Sequence, residues 1–304
     1  MGRTQRLSLL LTGSLASVLL VGALFAAQPP PPPEGWTDSF IIANGIRIHY
    51  WRTGGEKPVL IMSHGSSDDG LCWTSLAREL TADYDVILPD ARGHGLTDPP
   101  SPSDPADAQA EDIAALIREL KIDKPIVMGH SMGASAVTWF AAKYPDVSRA
   151  VVLEDPGLLP RAGATRGNRQ GNQARVEQAR ARILQRNQTS YDELVKGCVE
   201  ESPSWGIEEC RIWAPSKRLH HPSNAYRYRG SGGRPATTEL FGKITVPTLI
   251  LKADADADVR KANEAAAGVL KHGKIVHIDG AGHNVRREQK AALLKALKDF
   301  LATL

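Results

Sequence analysis

The sequence Gly-His-Ser-Met-Gly at residues 129–133 is the feature of this chain that most constrains its fold. It follows an apolar run at residues 125–128 that favours a β-strand, and it precedes small and apolar residues at 134–143 that favour a helix. A glycine at each end of the pentapeptide allows the strand and helix backbones to approach closely. The pattern predicts a sharp strand–turn–helix reversal that exposes the hydroxyl of Ser131 above the end of a parallel sheet.

Strand-like and helix-like segments alternate on both sides of this turn. Asn44-Gly45 separates two short alternating segments and predicts a β-hairpin. The apolar run at residues 58–62 is typical of a strand buried on both faces. The alternation then continues, with short connections, to a strand at residues 150–153. This order predicts an α/β fold in which helices cover both faces of a mostly parallel sheet.

The alternation stops between residues 155 and 240, where the sequence is polar and contains several prolines, glycines and helical stretches. Such a segment is too long for a loop and predicts a helical subdomain. The sheet pattern resumes at Val246. We therefore divide the folded part into a core of residues 39–155 and 241–304 and a helical cap of residues 156–240.

The N-terminal residues 1–28 differ in kind from the rest of the chain. Arg3 and Arg6 precede an uncharged apolar run at residues 7–27, a pattern typical of an export signal. About 20 apolar residues also suffice to span a bilayer, so an uncleaved membrane anchor is the alternative. We expect the folded part to lie outside the cytoplasm, behind a stiff proline-rich spacer at residues 29–38.

Charge and cysteine content limit the partners. A net charge of +3 over 304 residues gives no reason to expect nucleic acid. The three cysteines are Cys72, Cys198 and Cys210, and their spacing fits no zinc site. In an oxidising compartment Cys198 and Cys210 can close a short disulfide, and three buried thiols are the alternative. The sequence does not indicate an oligomeric state.

A serine hydroxyl is a weak nucleophile and needs a nearby base, which a carboxylate must orient. His283 lies in Gly-Ala-Gly-His-Asn at residues 280–284, directly after the last predicted strand. When a serine lies in a turn of this kind, its partners follow along the chain with the acid before the histidine. Ser131 is therefore the predicted nucleophile and His283 the predicted base.

The predicted acid lies among three carboxylates at alternate positions after the penultimate strand. We prefer Asp254, followed by Asp256, and interpret Asp258 as a cap of the next helix. Asp155, after the sixth predicted strand, is a further alternative.

The predicted reaction passes through an oxyanion, which backbone N–H groups stabilise. The N–H of Met132, directly after the nucleophile, is one predicted donor. The second is the N–H of Ser66, in the loop after the first buried strand, where Gly65 allows close approach. His64 precedes this loop, and we interpret it as a brace rather than as the base.

Four ordered motifs, His64-Gly65, residues 90–95, residues 129–133 and Gly282-His283, together resemble the α/β-hydrolase superfamily. The resemblance extends from about Asn44 to the C-terminus. It implies an eight-stranded, mostly parallel sheet with helices on both faces and a helical cap inserted after the sixth strand. It also implies that Arg92, within the second motif, holds a loop in place.

The residue at position 131 narrows the expected reaction. Epoxide hydrolases and haloalkane dehalogenases of this superfamily use an aspartate there, whereas serine implies acyl chemistry. The resemblance implies a serine hydrolase that cleaves carboxylic esters through an acyl-enzyme, with a small-molecule ester as partner and neither metal nor cofactor. A lactonase or a carbon–carbon bond hydrolase or lyase is the alternative. A non-catalytic binding protein is disfavoured, because no member of the triad is missing.

Specificity is expected to come from the cap. Residues 161–186 contain seven arginines and one glutamate, while Trp205 and Trp213 supply aromatic surface. One hypothesis is a positive mouth that favours anionic esters, with the two tryptophans binding the substrate. The alternative is a solvated helix face and a small cap core.

Overall fold

The computed structural model describes residues 29–159, 169–229 and 235–304. Within these ranges eight strands form one sheet in the order β1-β2-β4-β3-β5-β6-β7-β8. The strands are β1 (Thr37–Ala43), β2 (Ile46–Arg52), β3 (Val59–Ser63), β4 (Asp85–Pro89), β5 (Ile126–His130), β6 (Ala150–Glu154), β7 (Thr248–Lys252) and β8 (Gly273–His277). Pairing is antiparallel from β1 to β2 and from β2 to β4, and parallel elsewhere. The predicted eight-stranded, mostly parallel sheet is confirmed.

The register brings the carboxyl ends of three neighbouring strands to the same edge. Ser63 of β3 pairs with Gly129 of β5, and His130 of β5 pairs with Glu154 of β6. The loops that follow these strands therefore start side by side. The antiparallel β1–β2 hairpin turns at Asn44-Gly45, as expected, and both turn residues have positive φ.

Helices cover both faces of the sheet. The α-helices among the described residues are α1 (Thr74–Ala77), α2 (Ala108–Glu119), α3 (Met132–Lys143), α4 (Arg169–Gln188), α5 (Tyr191–Glu201), α6 (Gly206–Arg218), α7 (Thr237–Phe241), α8 (Ala257–Ala267), α9 (Val285–Glu288) and α10 (Lys290–Leu301). Because side chains alternate along a strand, the two faces build separate apolar layers. Ile61 of β3 packs in the layer with Phe140 of α3, and Leu60 packs in the layer with Trp73 and Leu297.

The segment predicted as the cap, residues 156–240, contains α4, α5 and α6 and most of α7, with 3-10 turns between α5 and α6 and after α6. We use the name cap for α4, α5 and α6. Ser190 and Glu193 form a capping box that starts α5. The sequence did not predict α6, which contains Pro215, a residue that removes an intrahelical hydrogen bond. A disulfide between Cys198 and Cys210 joins α5 to α6, so the pairing that the sequence left open is present, and Cys72 is a buried free thiol.

A buried ion network joins the cap to the core. Asp68, in the loop after β3, accepts hydrogen bonds from Lys217 of α6 and from Arg286 and Arg287 of α9. Arg287 also pairs with Glu209 of α6. Burial alone would raise the pKa of Asp68, but Arg287, Lys217 and Arg286 hold that pKa well below its usual range. Removing one partner from such a pair costs on the order of 3–5 kcal/mol.

The segment predicted as an export signal or anchor, residues 1–28 with the apolar run 7–27, lies outside the described residues. Of the helices that the structure does describe, none combines the length and apolarity needed to cross a bilayer. β1 begins at Thr37, within the segment predicted as a spacer.

Candidate active site

Ser131 occupies the turn between β5 and α3 in a backbone conformation that only a constrained residue adopts. Its φ of 52° and ψ of −105° lie in a region that residues other than glycine rarely adopt. Its N–H donates to the carbonyl of Glu154 on β6 at 3.0 Å. Its carbonyl accepts the N–H of Ser135 at 3.0 Å and the hydroxyl of the same residue at 3.2 Å. These bonds tie the turn to the neighbouring strand and to the first turn of α3.

Glycines are required where this turn meets the loop after β3. A Cβ at Gly129 would lie 2.5 Å from the carbonyl group of Gly133, and a Cβ at Gly133 would overlap the carbonyl oxygen of Ser63. A Cβ at Gly65 would lie 2.5 Å from the imidazole of His130. Gly133 therefore lets the turn pack backbone against backbone on the loop after β3, and Gly129 is required by close contact within the turn itself.

The structure brings Ser131 and His283 together as the sequence predicts. Nε2 of His283 lies 2.9 Å from Oγ of Ser131. The backbone carbonyl of His283 accepts a hydrogen bond from Nε2 of His130 at 3.0 Å. Burial lowers the pKa of His130 well below its usual value, with Arg286 and His283 adding to the effect. His130 is therefore neutral, and its hydrogen bond holds the backbone of His283 in place. It does not take the Ser131 proton from His283.

Asp155, and not Asp254, is the carboxylate that orients the base. Oδ2 of Asp155 lies 2.5 Å from Nδ1 of His283, so His283 donates there and accepts the Ser131 proton at Nε2. Oδ1 of Asp155 accepts from the ammonium of Lys252 and from the N–H of Ala253. Burial alone would raise the pKa of Asp155, but the hydrogen bonds from His283 and Lys252 lower it. Asp155 is thus held ionised beside the base.

The prediction for Asp254 is corrected because other groups occupy its carboxylate. It accepts the N–H groups of Gly280 and Ala255, each at 2.7 Å, and pairs with the guanidinium of Arg260. The hydrogen bond from Gly280 and the pairing with Arg260 lower the pKa of Asp254 to about 2. This exposed carboxylate fastens the loop before His283 and makes no contact with the imidazole.

The other two carboxylates of that cluster also lie away from His283. Asp256, and not Asp258 as predicted, occupies the N-cap position of α8, and Asp258 lies in the first turn of this helix. A carboxylate at the start of a helix interacts favourably with the helix dipole.

The predicted oxyanion donors lie on the two segments that pack together. Met132 is the first residue of α3, and Ser66 follows Gly65 in the loop after β3. The close contact of Gly133 with Ser63 sets the distance between these segments. The role of both N–H groups stays a prediction.

His64 and Arg92 hold loops in place, as the sequence indicated. His64 is fully buried, donates from Nδ1 to the carbonyl of Gly65 at 2.7 Å and accepts the N–H of Ala91 at Nε2 at 2.9 Å. Burial lowers its pKa, so it stays neutral. Arg92 binds Asp112 through two guanidinium nitrogens.

Trp205 and Trp213 cover the buried ion network. Their rings meet edge to face at 6.4 Å, with Arg287 4.6 Å above Trp205 and Lys217 4.5 Å above Trp213. Both rings are only partly exposed. Cation–π contact explains their position, and their role in binding substrate stays a prediction.

The cap arginines divide into two groups. Arg161 and Arg166 lie outside the described residues, and the side chain of Arg169 does as well. Exposed side chains on α4 belong to Arg175, Arg180, Arg182 and Arg186. Burial and the charge of Arg180 together lower the pKa of His221. The backbone N–H of His221 donates to the carbonyl of Gly93, which lies in the motif at residues 90–95.

No sequence motif indicated a role for Lys252, Lys217, Arg286 or Arg287. Lys252 ends an apolar strand, and a cation at that point was the available signal for a buried carboxylate nearby. The partners of the other three are distant in sequence, so no local pattern identified them. Among the described residues, no group of three or more histidine, cysteine or acidic side chains is arranged to hold a metal.

The position of the acid gives a direct prediction. We expect Asp155→Asn to lower kcat by about 10⁴-fold, because His283 then lacks the carboxylate that fixes its tautomer and stabilises its charge. Asp254→Asn, the matched control, should lower kcat far less, because an asparagine side-chain oxygen can still accept the N–H of Gly280. Steady-state kinetics on one ester substrate would compare them, and a large loss in Asp254→Asn alone would contradict the assignment.

Comparison with known proteins finds relatives that match most of this chain. The chain is 25% identical over 299 residues to epoxide hydrolase 1 of Caenorhabditis elegans, covering 90% of this chain and 72% of the relative. It is 28% identical over 263 residues to 2-(acetamidomethylene)succinate hydrolase of Mesorhizobium japonicum, covering 82% and 90%. A crystal structure of E-2-(acetamidomethylene)succinate hydrolase shares the fold, with a TM-score of 0.69 at 24% identity over 88% of this chain and 99% of that one.

A family model described as the alpha/beta hydrolase family matches residues 59–296, which include the nucleophile turn, the cap and the base. The relatives named above are hydrolases, which supports a hydrolytic role. This chain belongs to the α/β hydrolase family.

Proposed function

We propose that this protein is a serine hydrolase that cleaves carboxylic esters through an acyl-enzyme on Ser131. One observation carries the proposal: an unbroken hydrogen-bonded path runs from Ser131 Oγ through His283 to Asp155, with distances of 2.9 and 2.5 Å. A hydroxyl, an imidazole and a carboxylate in this order form the arrangement that activates a serine for attack on a carbonyl carbon.

The geometry assigns each group a step. Ser131 Oγ attacks the ester carbonyl while Nε2 of His283 accepts its proton, and Asp155 stabilises the imidazolium that forms. The N–H groups of Met132 and Ser66 stabilise the oxyanion. His283 then protonates the leaving alcohol, activates water against the acyl-enzyme, and returns the proton to Ser131 when the acid departs.

Serine at position 131 also supports ester cleavage over epoxide opening, although one relative is an epoxide hydrolase. A carboxylate that opens an epoxide forms an ester, which water can cleave in a second step. A serine that opened an epoxide would form an ether, which the groups around Ser131 are not equipped to cleave. The acyl-enzyme, in contrast, is itself an ester and is released by the same base.

The proposal is tested on a short p-nitrophenyl ester. We expect Ser131→Ala to lower kcat by about 10⁶-fold, because the nucleophile is lost while the fold is kept. Ser103→Ala, an exposed serine far from the triad in sequence, serves as the matched control and should match the wild type. Near-equal rates for Ser131→Ala and wild type would refute the proposed function.

We further propose that the preferred substrates are anionic esters. Four exposed arginines make α4 a positively charged helix of the cap. One of them, Arg180, is close enough for its charge to lower the pKa of His221, which follows α6. The relative from Mesorhizobium japonicum is named for a substituted succinate, a dicarboxylate. A guanidinium pairs well with a carboxylate, because both groups are planar and form two parallel hydrogen bonds.

A matched pair of neutral and acidic esters with the same leaving group tests this preference. We expect a higher kcat/KM for the acidic ester, and we expect Arg180→Gln to reduce that value by about tenfold, as loss of one charged hydrogen bond would. Arg175→Gln, on the same helix, is the control and should leave kcat/KM for the acidic ester close to the wild-type value. Equal kcat/KM for the two esters in the wild type would overturn the preference.

The proposed location is outside the cytoplasm. The Cys198–Cys210 disulfide supports it, because such bonds persist mainly in oxidising compartments. We expect cell fractionation to recover the protein outside the cytoplasm. Cys198 and Cys210 should resist alkylation there, because they are joined in a disulfide. Mass spectrometry of its N-terminus would distinguish a cleaved signal from an anchor at residues 7–27. A cytoplasmic protein with two reactive thiols would contradict the proposal.

A further inference from the structure

Lys217 is a cap residue whose ammonium group is buried against the core. Its side chain is 1% exposed. The ammonium donates to the carbonyl of Ser67 at 2.7 Å, to Oδ1 of Asp68 at 2.7 Å and to the hydroxyl of Ser67 at 3.3 Å. An ammonium has three donors, and all three are thus directed at two consecutive residues of the loop after β3.

That loop forms a tight turn around the predicted oxyanion donor. The N–H of Asp68 donates to the carbonyl of Gly65 at 3.2 Å, which makes Gly65 to Asp68 a four-residue turn with Ser66 and Ser67 at its centre. Ser67 has a φ of 64°. A positive φ at the third position is characteristic of a type II turn, which normally has glycine there. A residue with a side chain in this conformation costs on the order of 1–3 kcal/mol.

Contacts on both sides hold Ser67 in this conformation. Its N–H donates to Nε2 of His94 at 3.2 Å, and its carbonyl accepts from Lys217 at 2.7 Å. The hydroxyl of Ser216 also lies 3.2 Å from this carbonyl, but its shorter hydrogen bond goes to the carbonyl of Trp213 at 2.7 Å. Lys217 and Ser216 both belong to α6 of the cap. The core thus fixes one side of the residue and the cap fixes the other.

We propose that Lys217 is a positioning residue for the oxyanion hole, because it holds Ser67 in the left-handed conformation that completes the turn from Gly65 to Asp68, and this turn carries the Ser66 N–H. The hole is then complete only when α6 is docked on the core. This inference rests on the proposed function of Ser131. Lys217 acts through the loop backbone and does not touch the reacting atoms.

Lys217→Met tests the inference, since it keeps most of the side-chain volume and removes the donors. We expect kcat to fall about 10- to 100-fold with little change in KM, because an oxyanion donor acts mainly in the transition state. Binding of a trifluoromethyl ketone, which forms an oxyanion on reacting with Ser131, should weaken by a similar factor.

Glu209→Gln is the matched control. Glu209 also joins α6 to the core, through Arg287 and Ser75, but it makes no bond to residues 65–68. Both variants should lower the melting temperature, and only Lys217→Met should lower kcat and weaken the ketone. Equal losses of kcat in the two variants, or a wild-type kcat in Lys217→Met, would overturn the inference.

Two further variants keep the test decisive. Ser67→Gly removes the conformational cost at position 67, so adding it to Lys217→Met should restore part of the lost kcat, which a merely structural role of Lys217 would not predict. If Lys217→Met does not fold, Lys217→Gln, which keeps a polar end but cannot supply three donors to Ser67 and Asp68, takes its place and should lower kcat at constant KM; an unchanged kcat would then count against the inference.

The Ser131→Ala experiment separates the two proposals. Activity that survives Ser131→Ala refutes the serine hydrolase itself. Activity that requires Ser131 but does not respond to Lys217→Met overturns only the role of Lys217.

Discussion

The arrangement of the site depends on the ion pairs that the buried carboxylate of Asp68 forms with Lys217, Arg286 and Arg287. A charge in the protein interior is tolerated only when its partners surround it, and here they come from two distant segments. Lys217 belongs to the cap, while Arg286 and Arg287 follow the base in sequence. Asp68 itself ends the turn that carries the predicted oxyanion donor. One desolvated charge therefore fixes the cap, the base loop and the oxyanion loop relative to one another.

The triad is built around neighbouring strands. The N–H of Ser131 bonds to the carbonyl of Glu154, the residue directly before Asp155, so nucleophile and acid are linked through a single backbone bond between β5 and β6. With the acid after β6, the loop after β7 has a different task. Its Asp254 binds Arg260 and the N–H of Gly280, and so holds the loop that precedes His283.

The sheet, the nucleophile turn and the base were predictable because local signals determine them. Gly129 and Gly133 are demanded by backbone contacts within a few ångströms, and His283 follows the last strand of a regular alternation. The acid was not predictable in this way. Asp254 and Asp155 each follow a buried strand, and the choice depends on which loop reaches the imidazole, a matter of three-dimensional packing. The partners of Asp68 lie more than a hundred residues away from it along the chain. No periodic sequence pattern predicts a buried ion pair between such distant residues.

Chain order has a consequence for when the enzyme becomes reactive. Ser131 and Asp155 precede the cap, whereas His283 and the arginines that bind Asp68 follow it. A ribosome-bound chain interrupted before residue 283 holds a serine without a base and a buried carboxylate without two of its cations. The proposed acyl-transfer chemistry is thereby postponed until the segment that also secures the cap has been made. If the protein cleaves esters as we propose, the nascent chain cannot react with them before α4, α5 and α6 have been made.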